Sequence, residues 1–230
     1  MAIVCIAGIS AGIGKTSVAE ALLRARPGLS VARVRVAGEV GESDAALLAD
    51  ADHRIVTRTV ADGDAEVSRL LAAGASAATV LLAQPRGLAD GIKAMLARLP
   101  ANADLLIEGN AYLWAGEADV AIMVLGPGPS GRGIGRVQPS VSELFGKIDI
   151  WAWNTRRDPS AEGFFDFPRE LGRMGYARAI TNRSDFLPIN PLDASHEGVV
   201  ALNDSLGRAM ERRRWHRESD EFLRKVGFDP

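Results

Sequence analysis

The sequence is poor in several residue types, and each scarcity excludes a class of protein. One cysteine, Cys5, stands among 230 residues; it cannot form an internal disulfide and therefore fits a reducing compartment. The three histidines have no metal-like spacing, so no zinc site is expected. A formal net charge of −2 gives no basis for a nucleic-acid partner.

Long hydrophobic runs are also missing. No apolar stretch approaches the roughly 20 residues that are needed to span a bilayer. The N-terminus lacks the basic leading segment of a signal peptide. We therefore expect a cytoplasmic protein without a membrane partner. Hydrophobic residues make up 47% and charged residues 24% of the chain, a globular composition that fits a single domain over 1–230.

Short β-rich runs alternate with helical runs along the chain. This alternation predicts an α/β fold of three layers, in which a mostly parallel sheet carries helices on both faces. The predicted strands are Ile3–Ala7, Val31–Val36, Thr79–Leu82, Asp104–Ile107, Val120–Leu125, Ile148–Trp153, Ala177–Thr181 and Phe186–Ile189. The predicted helices are Lys15–Ala25, Asp64–Ala73, Leu88–Leu99, Phe167–Met174, His196–Trp215 and a short tail helix, Ser219–Val226. The glycine-rich segment Gly126–Arg136 predicts a long loop that closes over a ligand.

The strongest motif lies at the start of the chain. A β-run ends at Gly8, a glycine-rich turn follows, and a helix begins near Lys15. Such a turn points backbone N–H groups at an anion, and the helix dipole favours the same charge. The motif predicts a P-loop fold that wraps the phosphates of a purine nucleoside triphosphate. The residues expected to contact the nucleotide here are Gly8, Ser10, Ala11, Gly12, Ile13, Gly14, Lys15, Thr16 and Ser17.

Two side chains of this loop carry its chemistry. Lys15 is the expected point charge for the β- and γ-phosphates and the first catalytic candidate, and Thr16 offers its hydroxyl to Mg²⁺. The spacing differs from G-x-x-x-x-G-K-[ST], because Ile9 occupies the position of the first glycine. The loop therefore reads G-x5-G-K-T, starting at Gly8.

Acidic residues supply the other half of the predicted metal site. The run Asp104–Asn110 ends an apolar strand with Glu108. Ligands of open parallel sheets bind outside the carboxyl ends of the strands, so Glu108 is the second candidate for metal binding and catalysis. Asp62 is a third candidate for Mg²⁺, together with Asp64; the alternative is that both carboxylates stabilise the start of a helix.

The purine base is expected to be recognised by an asparagine. Asn154 follows the strand Ile148–Trp153, and Asn182 follows the next strand. An asparagine amide can pair with either purine, so the choice between GTP and ATP as the bound nucleotide is left open. The alternative for both residues is an ordinary turn asparagine.

These motifs together resemble known proteins. The G-x5-G-K-T spacing and the strand ending in Glu-Gly resemble dethiobiotin synthetase and its relatives among the P-loop proteins of the SIMIBI class. Over roughly 1–126, the chain is more similar to the MobB family, the nucleotide-binding adaptors of molybdopterin guanine dinucleotide synthesis. That family has an acidic residue, a helix and an Ala-Gly-Ala turn between the two motifs, as Asp62–Asp64, Glu66–Ala73 and Ala73–Ala75 provide here. Its Lys-His segment is missing, since Arg33–Glu39 contains no histidine.

The resemblance implies two alternative functions. A MobB-like adaptor would bind GTP or ATP with Mg²⁺, hydrolyse it slowly, form a homodimer and work with a cofactor-biosynthesis enzyme. A relative of dethiobiotin synthetase would be an ATP-dependent ligase or kinase, in which Lys15 and Mg²⁺ activate the γ-phosphate for attack by a substrate carboxylate. A second pocket lined by polar groups beside Glu108 would favour the enzyme. Candidate dimer anchors are Trp114, Trp151, Trp153 and Phe164–Phe165, for which packing in the core is an equal alternative.

Overall fold

The computed structural model describes residues 2–37, 48, 51–60, 64–100, 103–127, 137, 139–155, 162–173, 175, 185–193 and 195–227. Its strands are β1 (Ile3–Gly8), β2 (Ser30–Val36), β3 (His53–Arg58), β4 (Ala77–Ala83), β5 (Leu105–Glu108), β6 (Val120–Leu125), β7 (Ile150–Asn154) and β8 (Asp185–Ile189). Its helices are α1 (Lys15–Ala25), α2 (Ala65–Ala72), α3 (Leu88–Leu96), α4 (Asn110–Ala115), α5 (Pro139–Ser142), α6 (Glu162–Arg173) and α7 (Glu197–Lys225). Short 3₁₀ turns lie at Pro85–Gly87 and Phe145–Lys147.

All eight described strands form one sheet in the order β3-β4-β2-β5-β1-β6-β7-β8. Each neighbouring pair is parallel except β3 and β4, which are antiparallel. The chain moves from β1 towards β2 and β4 on one side, and later from β6 to β8 on the other. The winding direction therefore reverses around β1, and a ligand crevice is expected outside the carboxyl end of that strand.

Helices cover both faces of the sheet. On one face α1 packs against α2 and α7, while α3 and α4 pack against each other on the opposite face. The central strands β1, β5, β6 and β7 are buried at every position, because both of their faces are covered. The predicted three-layer α/β architecture is confirmed.

Several boundaries and elements differ from the sequence expectation. Helix α1 and strand β6 span the predicted residues, whereas β3 and α4 were not predicted. The prediction of two separate C-terminal helices is wrong, because α7 is continuous over Glu197–Lys225 and the Arg214–Glu218 ion pair (2.9 Å) crosses the expected break. The predicted strand Ala177–Thr181 lies outside the described residues.

The tryptophans of β7 serve the core. Trp151 and Trp153 are fully buried, and Trp151 contacts Phe145 edge-to-face and stacks on Phe186 at centroid distances of 5.1 and 6.2 Å. Core packing is therefore confirmed for these two residues in place of a dimer contact. Trp114 is half-buried against the same core.

Cys5 also belongs to the core, in the centre of β1. Its side chain is fully buried, and its thiol lies 3.7 Å from the carbonyl oxygen of Gly109. Burial raises the pKa of the thiol, because the thiolate would lose its hydration there. Across the described part of the chain, no helix has the length and apolar character that a bilayer-spanning helix requires.

Candidate functional site

The glycine-rich turn connects β1 to α1 at the centre of the sheet. Gly8 ends β1, and the Ile9 N–H still donates to the carbonyl oxygen of Val124 on β6 at 3.1 Å. The side chain of Ile9 is fully buried. The extra residue of the G-x5-G-K-T spacing is thus held against β6 beyond the end of the strand.

The second half of the turn needs glycine for two reasons. Gly14 has a φ of 109°, a left-handed conformation that side chains rarely adopt. A Cβ atom at Gly14 would lie 2.4 Å from the amide nitrogen of Asn154. Gly14 also precedes the first residue of α1, so no side chain caps the N-terminus of this eleven-residue helix. The N–H groups of its first turn and the helix dipole suit an anion at this position.

Thr16 and Glu108 meet directly below the turn. The Thr16 hydroxyl donates to a carboxylate oxygen of Glu108 at 2.8 Å. Both side chains are buried, with Glu108 only 4% exposed. β5 lies beside β1, and the sheet register places Glu108 opposite Ile6. Glu108 is therefore a buried residue and not a surface glutamate at a strand end, and the two residues that the sequence predicts for the metal are in contact.

The fit of this pair to Mg²⁺ follows from its hydrogen bonding. A threonine hydroxyl has one proton and two lone pairs, so donating to Glu108 leaves lone pairs for a cation. Mg²⁺ in nucleotide sites uses one or two protein oxygens together with phosphate and water oxygens. Among the residues that the structure describes, no group of three or more histidine, cysteine, aspartate or glutamate side chains could hold a metal. The Thr16–Glu108 pair itself provides protein oxygens of the kind that Mg²⁺ uses in such sites.

The other oxygen of Glu108 faces Arg33 on β2. The Arg33 Nε atom lies 3.3 Å from Glu108 Oε2, and the arginine is 7% exposed. Its guanidinium also pairs with Glu66 and lies 3.9 Å from Asp64. A buried cation needs such partners, because desolvation of an unpaired charge is costly. Arg33 thus connects the metal pair to α2.

The role of Arg33 was not predicted from the sequence. The available signal was the pair of arginines, Arg33 and Arg35, at alternate positions of the otherwise apolar run Val31–Val36. In a parallel strand with both faces covered, an alternating charged position is buried rather than solvated. A buried arginine in such a strand predicts a carboxylate partner nearby.

Asn110 is a second residue that was not predicted. Its side-chain oxygen accepts from the Gly8 N–H at 2.8 Å, and its amide nitrogen donates to the Gly8 carbonyl at 2.9 Å. This two-point contact fixes the backbone where the turn begins. The residue follows Glu108 by two positions, so the signal lay in the same DLLIEGN run.

Asn154 supports the turn from the other side. Its amide nitrogen donates to the Ile13 carbonyl oxygen at 2.9 Å, and the residue is buried at the end of β7. The prediction of an ordinary turn asparagine is wrong for this residue, because it is the last residue of a strand. Contact with a purine base stays a prediction for Asn154. Asn182, the rival residue, lies outside the described residues.

The hydroxyl of Ser17 is directed to α2 rather than to the turn. It accepts from Arg69 at 3.3 Å, and Arg69 also pairs with Glu20 at 2.5 Å. Arg24 adds a contact to Glu20 at 3.3 Å. The two Arg69 contacts bind α1 to α2, whereas the Arg24 contact lies within α1, so the Ser17 side chain contributes to helix packing.

Of the two acidic residues predicted after β3, Asp62 and Asp64, the structure describes Asp64 only. Asp64 caps α2, since its carboxylate accepts from the N–H groups of Glu66 and Val67 at 2.9 and 3.1 Å. The helix-start alternative is therefore confirmed for Asp64. Asp62 and most of the predicted loop Gly126–Arg136, namely 128–136, lie outside the described residues.

The comparisons with known proteins do not assign the chain to a family. No protein-family model matches the sequence, and no curated protein matches it significantly.

Proposed function

We propose that this protein binds a purine nucleoside triphosphate together with Mg²⁺ and hydrolyses it slowly. The observation that carries the proposal is the buried hydrogen bond between Thr16 and Glu108 (2.8 Å) at the base of a glycine-rich turn. A Gly-Lys-Thr sequence at the start of a helix and an acidic residue on the adjacent strand are the parts that triphosphate binding requires.

In this proposal each residue has a separate task. The N–H groups from Gly12 to Thr16 surround the phosphates, and Lys15 neutralises their charge. Glu108 accepts a hydrogen bond from the Thr16 hydroxyl, which leaves the threonine lone pairs available to hold Mg²⁺ if it binds there. Mg²⁺ bound there would neutralise the β- and γ-phosphates. Phosphoryl transfer depends mainly on such positioning and charge compensation, so the same residues serve hydrolysis or transfer.

The pathway assignment is carried by the resemblance alone. We propose a cytoplasmic adaptor of the MobB type in molybdenum-cofactor biosynthesis, which acts as a homodimer and presents GTP or ATP to a partner enzyme. The alternative is an ATP-dependent ligase or kinase of the dethiobiotin synthetase type. One observation favours this alternative: a cavity of about 190 Å³, lined in part by three arginines, touches Asp64 beside Arg33.

The test of nucleotide binding is isothermal titration calorimetry of the full chain with GTP and ATP, each with and without Mg²⁺. Lys15→Ala should abolish triphosphate binding. Lys93→Ala is the matched control, because Lys93 is an exposed lysine of α3 on the opposite face. Equal binding by both variants would exclude the phosphate site. A deletion strain with unchanged molybdoenzyme activity, combined with ATP preference, would favour the ligase or kinase.

A further inference from the structure

One side of the C-terminal half of α7 carries large apolar side chains that are exposed to solvent. Trp215 and Phe222 are each 63% exposed, and Val226, which directly follows the helix, is 50% exposed. Spacings of seven and four residues place these three side chains on one side of the helix, where they form an apolar stripe. A contiguous exposed apolar surface marks an interaction site, whereas single exposed residues do not.

The apolar stripe lies on the side of α7 that is turned away from the sheet. In the first half of α7, the buried large apolar residues and one alanine are Val199, Leu202, Leu206 and Ala209. The same side of the helix continues through Arg213 and Arg217, whose guanidinium groups pair with carboxylates just before β7 and β6 at 3.5 and 3.0 Å. At about 3.6 residues per turn, Trp215 and Phe222 point in roughly the opposite direction. The core that α7 covers therefore does not bury the stripe.

A depression lies within the apolar stripe. The described residues that line it all belong to α7: Trp215, Glu218, Ser219, Phe222 and Leu223. The first four occupy positions i, i+3, i+4 and i+7, the arrangement of side chains that accepts a knob from a facing helix. Ser219 is the smallest of the four, so it leaves room between the two aromatic side chains. The surface is therefore suited to a second helix.

The same stretch of α7 provides both the hole and a side chain that fits it. When two copies of this stretch pair antiparallel, Phe222 of each copy can face Ser219 of the other. In that register Trp215 faces Val226 of the second copy. A twofold axis generates each of these contacts twice, as a closed dimer requires. The stripe is thus complementary to itself.

The charges beside the stripe fit the same antiparallel register. Glu218 and Lys225 lie on one flank of the stripe, and antiparallel pairing brings Glu218 of each copy next to Lys225 of the other. Within one copy they form exposed pairs with Arg214 (2.9 Å) and Glu221 (3.0 Å), which contribute little and leave both groups able to make a second contact. Parallel pairing would instead place Arg212 beside Arg212 of the second copy, where like charges repel.

We propose that the C-terminal half of α7 is a self-association surface through which two copies of this protein form an antiparallel dimer. The two exposed aromatic side chains bury on the order of 200–300 Å² per copy, compared with about 800 Å² per partner in a standard interface. The dimer is therefore reversible, with an expected dissociation constant of about 10–500 µM. The association itself needs no nucleotide, and its use in an adaptor rests on the proposed function, whose homodimer it supplies with a surface.

The experiment is sedimentation equilibrium of the full chain without nucleotide, from about 5 µM to about 1 mM. Phe222→Ala removes the knob, and Val200→Ala is its control, because Val200 is an exposed apolar residue at the other end of α7. Glu218→Lys and Lys225→Glu each turn the two ion pairs of the dimer into like-charge pairs. An equimolar mixture of these two variants restores both unlike pairs in the mixed dimer. Asp90→Lys, an exposed residue of α3, makes the same change in net charge as Glu218→Lys and replaces it in a control mixture.

We expect wild type to dimerise reversibly, Phe222→Ala to weaken the dimer by about tenfold or more, and Val200→Ala by less than about twofold. Each charge variant alone should weaken it by about fivefold, and their mixture should return to within about threefold of wild type. The control mixture should not recover. A monomer at the highest concentration would overturn the inference, as would a dimer that withstands Phe222→Ala or shows no recovery in the mixture. Unchanged circular dichroism and melting temperatures at low concentration establish that the variants are folded.

A membrane surface is the other occupant that an exposed apolar helix face fits. Glu211 and Glu218 border the stripe with negative charge, which disfavours an anionic membrane. Vesicles of phosphatidylglycerol and phosphatidylcholine provide the probe in a flotation assay. Binding of wild type to these vesicles that Phe222→Ala abolishes, in a protein that stays monomeric, would assign the stripe to the membrane and overturn the dimer.

Lys15→Ala and Phe222→Ala together separate this inference from the proposed function. If Lys15→Ala dimerises like wild type without binding nucleotide, and Phe222→Ala binds nucleotide as a monomer, both proposals are supported. If wild type dimerises but binds no nucleotide, the surface on α7 stands and the proposed function fails. If wild type binds nucleotide and stays monomeric, the inference fails and nucleotide binding stands. A dimer that forms only with nucleotide and withstands Phe222→Ala would lie elsewhere on the molecule, and the inference would be wrong.

Discussion

The buried residues on the two sides of β1 differ in chemical character. On the ion-pair side, formed by β2, β5, α1 and α2, the buried groups include Glu108, Arg33 and Glu20, which are held in salt bridges. On the apolar side, formed by β6, β7 and β8, the interior is filled by large side chains such as Trp151 and Trp153. Buried, paired charges therefore lie on one side of β1, and large apolar side chains fill the interior on the other.

The largest expected effect tests the apolar side. Trp151→Ala removes a fully buried indole that contacts Phe145 and Phe186, and should lower the free energy of unfolding by about 3–5 kcal/mol. Urea unfolding followed by circular dichroism measures this loss. Trp215→Ala is the control, since Trp215 is 63% exposed on α7. If the two variants lose equal stability, the apolar side is not the support described here.

The next effect tests the ion-pair side. Arg33→Met leaves the buried Glu108 carboxylate without its cation and should cost about 3 kcal/mol of stability. Arg33→Met with Glu108→Met removes both charges and should recover most of that loss. Denaturant unfolding of the wild type, the two single variants and the double variant measures the four free energies of unfolding that make up this double-mutant cycle.

The same cycle separates stability from function. The stable double variant should lose Mg²⁺-dependent nucleotide binding, because the Thr16 hydroxyl then has no carboxylate to accept its hydrogen bond. Calorimetry with ATP and GTP provides the readout. Full nucleotide affinity in the double variant would show that the ion pair is purely structural.

The two sides also differ in how far they could be predicted from the sequence. The glycine-rich turn and Glu108 were predictable because their residue types follow one another in a fixed local order. Arg33 was missed because its partners Glu108 and Glu66 are distant in sequence, and a charged residue in a strand suggests solvent. Strand β3 was missed for a related reason: it is a half-buried antiparallel edge strand, so its apolar pattern is weak.

A smaller effect is expected at the boundary between the two sides. Asn110→Ala removes both hydrogen bonds to the Gly8 backbone, at 2.8 and 2.9 Å, and should cost about 1–3 kcal/mol. Because the start of the turn is then unsupported, nucleotide affinity should fall by about tenfold. Asn203→Ala is the matched control, since its amide binds Arg26 at the far end of α1. Thermal unfolding and calorimetry test the two effects separately.

The last effect appears only at alkaline pH and tests β1 itself, through Cys5. Burial raises the pKa of its thiol above the ordinary value of 9.0, so the folded state keeps the proton at a pH where the unfolded chain loses it. The unfolded chain then binds fewer protons, and the free energy of unfolding decreases as pH rises, by about 1.4 kcal/mol per pH unit above 9. Below pH 9 the thiol contributes no pH dependence. Cys5→Ala should lack this component, so the stability difference between wild type and variant should shrink between pH 9 and pH 11. Urea unfolding at several pH values measures it. If the stability difference between wild type and Cys5→Ala stays constant with pH, the thiol is hydrated in the folded protein. Water would then reach β1 from the ion-pair side, and the boundary between the two sides would lie elsewhere.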